Sequence, residues 1–95
     1  MSDDPLLQPY QLKHLTFKNR IFSTGHEPAY SDDGMPKERY RLYHREKARG
    51  GCALTMTAGS ALVAEDSPAA FGNLQAWRDE IVPWMRALAD DCHQH

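Results

Sequence analysis

The chain has 95 residues, of which 41% are hydrophobic and 25% are charged, and its net charge is −2. A composition of this kind is typical of a globular segment and excludes an intrinsically disordered chain. Because basic and acidic residues are mixed along the chain, no basic surface is predicted for nucleic acid or for an anionic membrane.

The cellular location is predicted from the apolar runs and the cysteines. No apolar run approaches the roughly 20 residues of a membrane span, and the acidic start does not resemble a signal peptide. Cys52 and Cys92 form neither a disulfide framework nor a Cys-x-x-Cys site, which favours buried thiols in a reducing compartment. A cytoplasmic protein is therefore expected.

The first elements are a small hairpin and a strand. Two short runs within residues 6–18, joined at 13–15, predict the hairpin. The aromatic and β-branched run Ile21–Thr24 then predicts a first main strand, which stops at Gly25 and Pro28.

A loop, a helix and a second strand follow. Gly34 is suited to a positive φ in the loop 31–36, and Pro36 is suited to the first helical position. Residues 36–49 contain no glycine and no internal proline, so they predict a helix, with Tyr40, Tyr43 and Lys47 on one side. The helix should end at Gly50-Gly51, and the largely apolar run 52–57 predicts a strand covered on both faces.

The last predicted element is a second helix. After Ala58-Gly59-Ser60 comes a mixed stretch, and apolar residues then recur at helical spacing: Ile81, Met85, Leu88 and Cys92. Pro83 is tolerable only in the first turn of such a helix. The nearby Cys92-His93-Gln94-His95 predicts no metal site, because adjacent helical residues point about 100° apart.

The order of elements predicts an α/β fold. A helix after each strand is the crossover that parallel strands need, so residues 20–95 form two βα units. Both faces of the strands need cover that no later element supplies. We therefore expect residues 1–95 to be a single segment at the N-terminus of a larger α/β enzyme. The alternative of another class is a free-standing small domain, without catalysis, that binds a partner through this apolar surface.

Several segments together resemble the N-terminus of the Old Yellow Enzyme family of flavin oxidoreductases, and the resemblance covers essentially the whole chain. The segments that carry it are residues 6–12, 15–20, His26-Glu27-Pro28-Ala29-Tyr30, Asp33-Gly34, 40–51 and 54–60. Within the family the chain is most similar to the branch of trimethylamine dehydrogenase and 2,4-dienoyl-CoA reductase. The His-Glu-Pro-Ala-Tyr run looks most like the dimethylglycine and N-methylproline demethylases.

The resemblance implies the N-terminal part of a TIM (β/α)8 barrel, consisting of a floor hairpin and the first two βα units. A complete barrel needs about 250 residues, so the barrel is incomplete in this chain. In the family, FMN lies at the C-terminal mouth and touches the ends of the first two strands. The implied FMN contacts are Thr24, Gly25, His26, Glu27, Ala58 and Gly59.

Glu27 departs from one member of the branch. Trimethylamine dehydrogenase has a cysteine bonded to the flavin where this chain has Glu27, and a carboxylate cannot form that thioether, so FMN should be held non-covalently. The charge would either lower the flavin potential or pair with a substrate ammonium. His26 and Glu27 are thus candidate substrate or flavin-tuning contacts, although without the resemblance a surface ion pair would be favoured.

The implied activity of the full-length protein is hydride transfer between a small-molecule substrate and FMN, as in oxidative demethylation of an N-methylated amino acid. The alternative within the family is an NAD(P)H-dependent reductase of 2,4-dienoyl-CoA or enones. In the multidomain branch a 4Fe–4S cluster and FAD or NAD(P)H also occur, and their sites lie outside this chain. The isolated segment is expected to be inactive without the rest of the barrel.

Overall fold

The computed structural model describes residues 3–26, 28–57, 61–68 and 72–95. After a 3₁₀ turn at Pro5–Leu7, the elements in chain order are β1 Tyr10–Leu12, β2 Leu15–Phe17, β3 Phe22–Ser23, α1 Glu38–Arg49, β4 Leu54–Thr55, β5 Ala61–Leu62, β6 Leu74–Gln75 and α2 Ile81–His93. Neither helix is long and apolar enough to cross a membrane, within these described ranges.

The chain opens with an antiparallel hairpin of β1 and β2. Its two-residue turn begins at Lys13, which has a φ of 53°. Phe17 of β2 packs edge-on against Phe22 of β3, with ring centroids 4.8 Å apart. This aromatic contact fixes the hairpin against the start of the next strand.

β3 and β4 are parallel and are joined through α1, which gives the predicted βα order. The expected start of α1 at Pro36 was wrong, because Lys37 still has an extended backbone with φ −80° and ψ −156°. The end of α1 was predicted correctly: Gly50 caps the helix, and Gly51 follows with a φ of 116°. A positive φ at this position favours glycine.

The strands are shorter than the sequence predicts. The expected strand 21–24 is paired only at Phe22–Ser23, and the expected strand 52–57 only at Leu54–Thr55. Single hydrogen bonds extend the pairing, from the Ala53 amide to the Ile21 carbonyl (2.9 Å) and from the Met56 amide to the Ser23 carbonyl (3.2 Å). Among the described residues β3 and β4 pair only with each other, so no second ladder extends either strand.

The sequence did not predict the parallel pair β5–β6, which lies between β4 and α2 in the chain. Two-residue strands are too short to display an alternating pattern. β6 also contacts the loop before α1, since the Gln75 amide donates to the Gly34 carbonyl at 2.9 Å.

The core lies between the two helices and these loops. Its buried apolar members are Met35, Tyr40, Leu74, Ile81 and Leu88, and its partly buried members are Tyr30, Trp84, Met85 and Cys92. The predicted apolar face of α2 is thus confirmed, and Pro83 occupies the first turn. The expected buried thiols are only half-buried, since Cys52 and Cys92 are free cysteines of intermediate exposure.

Candidate functional site

The carboxyl ends of β3 and β4 meet at one edge. The cross-strand partners are Phe22 with Leu54 and Ser23 with Thr55, so both strands stop at the same level. The chain leaves this edge as residues 24–26 on one side and as residues 56–57 on the other. In parallel α/β folds, ligands bind at the carboxyl ends of strands.

Three of the six predicted flavin contacts lie directly beyond this edge. Thr24, Gly25 and His26 follow the last paired residue of β3, and all three are exposed. They form no hydrogen bond or ion pair with the other described residues. The remaining three, Glu27, Ala58 and Gly59, lie outside the described residues. The position of the first three leaves their polar groups available to a ligand.

One face of the two strands is held by α1. The Lys47 ammonium donates to the Ser23 hydroxyl at 2.9 Å, and Nδ1 of His44 lies 2.8 Å from the Thr55 hydroxyl. Since the two hydroxyls belong to cross-strand partners, one turn of α1 fixes both strand ends. Lys47 also lies 4.6 Å from the centroid of the Tyr43 ring.

The opposite face is apolar and open. Side chains alternate along a strand, so those that flank Ser23 and Thr55 point away from α1. Phe22 is 39% exposed and Met56 is 44% exposed. The free polar backbone beyond the strand ends suits the polar edge of a flat ring, such as the isoalloxazine of FMN. The apolar face beside it is surface that the remaining strands of a barrel would cover.

His44 is the residue of this region that sequence reasoning missed. It is 1% exposed, and burial, aided by the nearby Lys47 charge, lowers its pKa from 6.5 to about 4. Its Nε2 is buried without a hydrogen-bond partner among the described residues. The signal was present in the sequence, because Tyr40, His44 and Ala48 recur at i, i+4 and i+8.

A groove lies between β2, β4 and the end of α2. Its lining residues include Leu15, Phe17, Cys52, Leu54, Thr55 and Cys92, so it reaches the last paired residue of β4. The C-terminal histidines border it, yet no group of three or more metal-ligating side chains occurs among residues 3–26, 28–57, 61–68 and 72–95. The described residues of this groove therefore indicate no metal site.

The chain is similar in sequence to a family of flavin oxidoreductases and to two curated relatives. A family model described as "NADH:flavin oxidoreductase / NADH oxidase family" matches residues 5–95. The chain is 68% identical over 94 residues to "Probable N-methylproline demethylase" of Rhizobium meliloti, covering 99% of this chain and 14% of that protein. It is 49% identical over 94 residues to "Multifunctional alkene reductase/demethylase OYE" of Caballeronia cordobensis, with the same coverages of 99% and 14%.

A solved structure shows the fold. Morphinone reductase in complex with tetrahydroNAD superposes with a TM-score of 0.81 at 17% identity, over 94% of this chain and 24% of that chain. The chain thus has the fold of the N-terminal part of a TIM barrel, and it spans about a seventh of the length of the curated relatives named above. The expected incomplete barrel is confirmed.

Proposed function

The chain belongs to the NADH:flavin oxidoreductase / NADH oxidase family, and we propose that it forms part of an FMN-dependent oxidoreductase that demethylates an N-methylated amino acid. The observation that carries this proposal is the 68% identity to a protein named as an N-methylproline demethylase. That identity extends over 94 residues and therefore includes both strand ends of the candidate site. Because the chain spans only 14% of that relative, the activity belongs to a longer protein.

The residues beyond the strand ends fit the flavin. Thr24, Gly25 and His26 offer exposed polar groups next to the open apolar face. We assign these residues, together with Glu27 and the pair Ala58-Gly59, to non-covalent contact with the FMN ring. The phosphate of FMN would be held outside this chain, since TIM barrels commonly bind phosphate after strands 7 and 8.

The proposed reaction breaks a C–H bond of the N-methyl group. Bound FMN supplies the hydride acceptor, and water then hydrolyses the substrate iminium to formaldehyde and the demethylated amine. The chain's contribution is to orient the methyl group, since correct placement of reacting groups supplies a large part of rate enhancement. Glu27 is assigned to the substrate ammonium, because a carboxylate is the natural partner of a charged amine. It would also accept the N–H proton of the ammonium, which has to leave so that the nitrogen lone pair can form the C=N bond of the iminium as the hydride departs.

A second candidate function is reduction of an activated alkene. It is favoured by the 49% identity to a relative whose name includes both alkene reductase and demethylase. Both reactions move a hydride to or from the same flavin, so one site can serve either. The substrate therefore has to be determined by experiment.

The test uses the full-length protein purified with its flavin under anaerobic conditions. N-methylproline should bleach the oxidised flavin absorbance and release one formaldehyde per flavin reduced, whereas proline, which lacks the methyl group, should do neither. Dimethylglycine tests the breadth of the amine site. If no N-methylated amino acid bleaches the flavin and an enone reoxidises the photoreduced flavin, the proposed demethylation is wrong and alkene reduction is the function supported.

The full-length protein also allows two other tests. One concerns where the additional redox groups bind, and the other concerns the alternative that the segment is a partner-binding domain without catalysis. We propose that a 4Fe–4S cluster, where used, binds outside this segment, because the chain has only two of the four cysteines such a cluster needs. FAD or NAD(P)H, where used, is also proposed to bind outside this segment, as the family resemblance implies. Iron and flavin analysis of the full-length protein measures this directly. A reading frame that stops at His95 would instead favour a partner-binding domain without catalysis.

A further inference from the structure

The connection between β3 and α1, residues 24–37, carries the candidate site at its start and a tight turn near its end. At the turn, the Asp32 amide donates to the Met35 carbonyl and the Met35 amide donates to the Asp32 carbonyl, both at 3.0 Å. Asp33 and Gly34 between them have φ values of 55° and 72°. These positive values define a tight turn of the primed type, for which an Asp-Gly pair is favoured.

Arg78, which follows β6, holds this turn. Its Nη1 donates to the Asp33 carbonyl at 2.7 Å and to Oε1 of Gln75 at 2.9 Å, while its Nη2 lies 2.6 Å from a carboxylate oxygen of Glu80. Only 16% of the Arg78 side chain is exposed. The planar guanidinium can satisfy several acceptors at once, which a lysine ammonium cannot do in this geometry.

Gln75 contacts the same turn with both its backbone and its side chain. The backbone amide of Gln75 donates to the Gly34 carbonyl at 2.9 Å. A Cβ added at Gly34 would lie 2.5 Å from Cδ of Gln75, a distance that forces a displacement. The side-chain oxygen of Gln75 also accepts a hydrogen bond from Arg78. Gln75 of β6 and the Arg78 guanidinium therefore contact the turn and each other.

Three further contacts, made by Tyr30 and Ser31, fix the middle of the connection. The Ser31 hydroxyl donates to the Gly72 carbonyl. The Tyr30 ring lies 3.8 Å from the Arg39 guanidinium carbon and packs edge-on against Tyr43 at 5.6 Å. The connection is therefore held at Tyr30 and Ser31 on one side, while Thr24, Gly25 and His26 follow the paired end of β3 on the other.

We propose that Arg78 is a positioning residue for the site, which holds the β3–α1 connection so that Thr24, Gly25 and His26 stay at the strand ends. This inference rests on the proposed function for its effect on catalysis. If only a fraction of molecules has the competent arrangement, apparent affinity falls by that fraction. Loosening the connection should therefore raise KM for the amine and leave kcat nearly unchanged.

The main test compares Arg78→Gln with Arg86→Gln in the full-length protein. Arg86 lies on α2, is exposed, and makes no hydrogen bond or ion pair with the described residues. We expect Arg78→Gln to raise KM for N-methylproline about tenfold, as it would if the competent fraction fell to a tenth. Amide hydrogen exchange in peptides from residues 24–36 should also become faster. Arg86→Gln should change neither quantity.

Two more variants separate positioning from general stability. Asp33→Asn keeps the backbone carbonyl that accepts from Arg78 and alters only the exposed carboxylate, 3.4 Å away, so it should behave as wild type. Gly34→Ala should reproduce the KM and exchange changes by displacing Gln75. If Arg78→Gln does not fold, Gly34→Ala and Gln75→Ala take its place.

The outcomes distinguish the two proposals. Unchanged KM and unchanged exchange in folded Arg78→Gln would overturn the positioning role, even if the wild type demethylates N-methylproline. A lower melting temperature with an unchanged KM would also overturn it and leave Arg78 as a merely stabilising residue. If the wild type turns over no amine, the proposed function fails, and the exchange measurement still decides whether Arg78 holds the connection.

Discussion

His44 of α1 contacts the last paired residue of β4, since its imidazole Nδ1 lies 2.8 Å from the Thr55 hydroxyl. A charged imidazole would be unfavourable there, because the group is desolvated and Lys47 is close. The neutral ring can still accept or donate at the Thr55 hydroxyl, depending on its tautomer. The buried histidine thus contributes to the geometry of the site only while it is uncharged.

The first prediction is that stability depends on pH through His44. The pKa of His44 is about 4 in the folded protein, against an ordinary histidine pKa of 6.5. Between these values the unfolded chain binds a proton that the folded chain does not, so stability falls as the pH drops from 6.5 to 4. The shift corresponds to about 3 kcal/mol at most.

Thermal unfolding of the full-length protein across this pH window measures the effect. The wild-type midpoint should fall more steeply than that of His44→Gln, which cannot titrate. His14→Gln, at the exposed hairpin turn, serves as the matched control and should follow the wild type. Parallel curves for wild type and His44→Gln would show that His44 does not titrate in this window.

The second prediction concerns Glu27, whose proposed role follows from the family resemblance. Glu27→Gln should lower kcat/KM for N-methylproline by about tenfold or more, because a charge-assisted contact with the ammonium is worth about 1.5–3 kcal/mol. Reoxidation of the reduced flavin by an uncharged enone should change little. Glu38→Gln, exposed in the first turn of α1, is the control. Unchanged amine turnover in Glu27→Gln would remove Glu27 from the site.

At the residue scale, the sequence predicted the polar cluster after β3 but not the groups that support it. Thr24, Gly25 and His26 could be identified because they directly follow an apolar run. Arg78 could not, since its partners Asp33 and Gln75 are distant in sequence or belong to a strand too short to recognise. Contacts of this kind depend on tertiary structure and leave no local pattern.

At the scale of elements, the helices were predicted well because each buries a regular stripe. α2 packs Ile81 and Leu88 into the core at i and i+7, and α1 ends where its glycines stop the helical backbone. The positions of the two main strands along the chain were predicted correctly, but their lengths were not. The ends of a strand depend on its pairing partner, which the local sequence does not reveal. Residues 21–24 contain a suitable run, yet only two of them pair.

The third prediction tests the packing of α2. Leu88 is 6% exposed and lies in the core, so Leu88→Ala should lower the free energy of unfolding by about 2–5 kcal/mol through lost burial and a cavity. Val82→Ala on the same helix should change it by less than about 0.5 kcal/mol, since Val82 is 52% exposed. Urea denaturation of the FMN-loaded full-length protein measures both. Equal effects of the two variants would contradict the assigned core face.

At the scale of the whole molecule, the chain exposes apolar surface that a closed barrel would cover. The most exposed apolar side chains around the hairpin and the strand face are Leu6, Leu7, Tyr10, Leu12, Leu15, Ile21, Phe22 and Met56. A patch of this kind marks an interaction surface or a liability to aggregate.

The fourth prediction follows from that incomplete barrel. Residues 1–95 expressed alone should neither bind FMN nor demethylate N-methylproline, because two adjacent strand ends supply one wall of the ring pocket and no phosphate site. The isolated segment should also bind a hydrophobic dye such as ANS through its open apolar face. Titration of FMN fluorescence, with the flavin-stripped full-length protein as the positive control, measures the first point. Stoichiometric quenching by the segment alone would mean that these strand ends hold the flavin without the rest of the barrel, and the site would then have to be complete within residues 1–95.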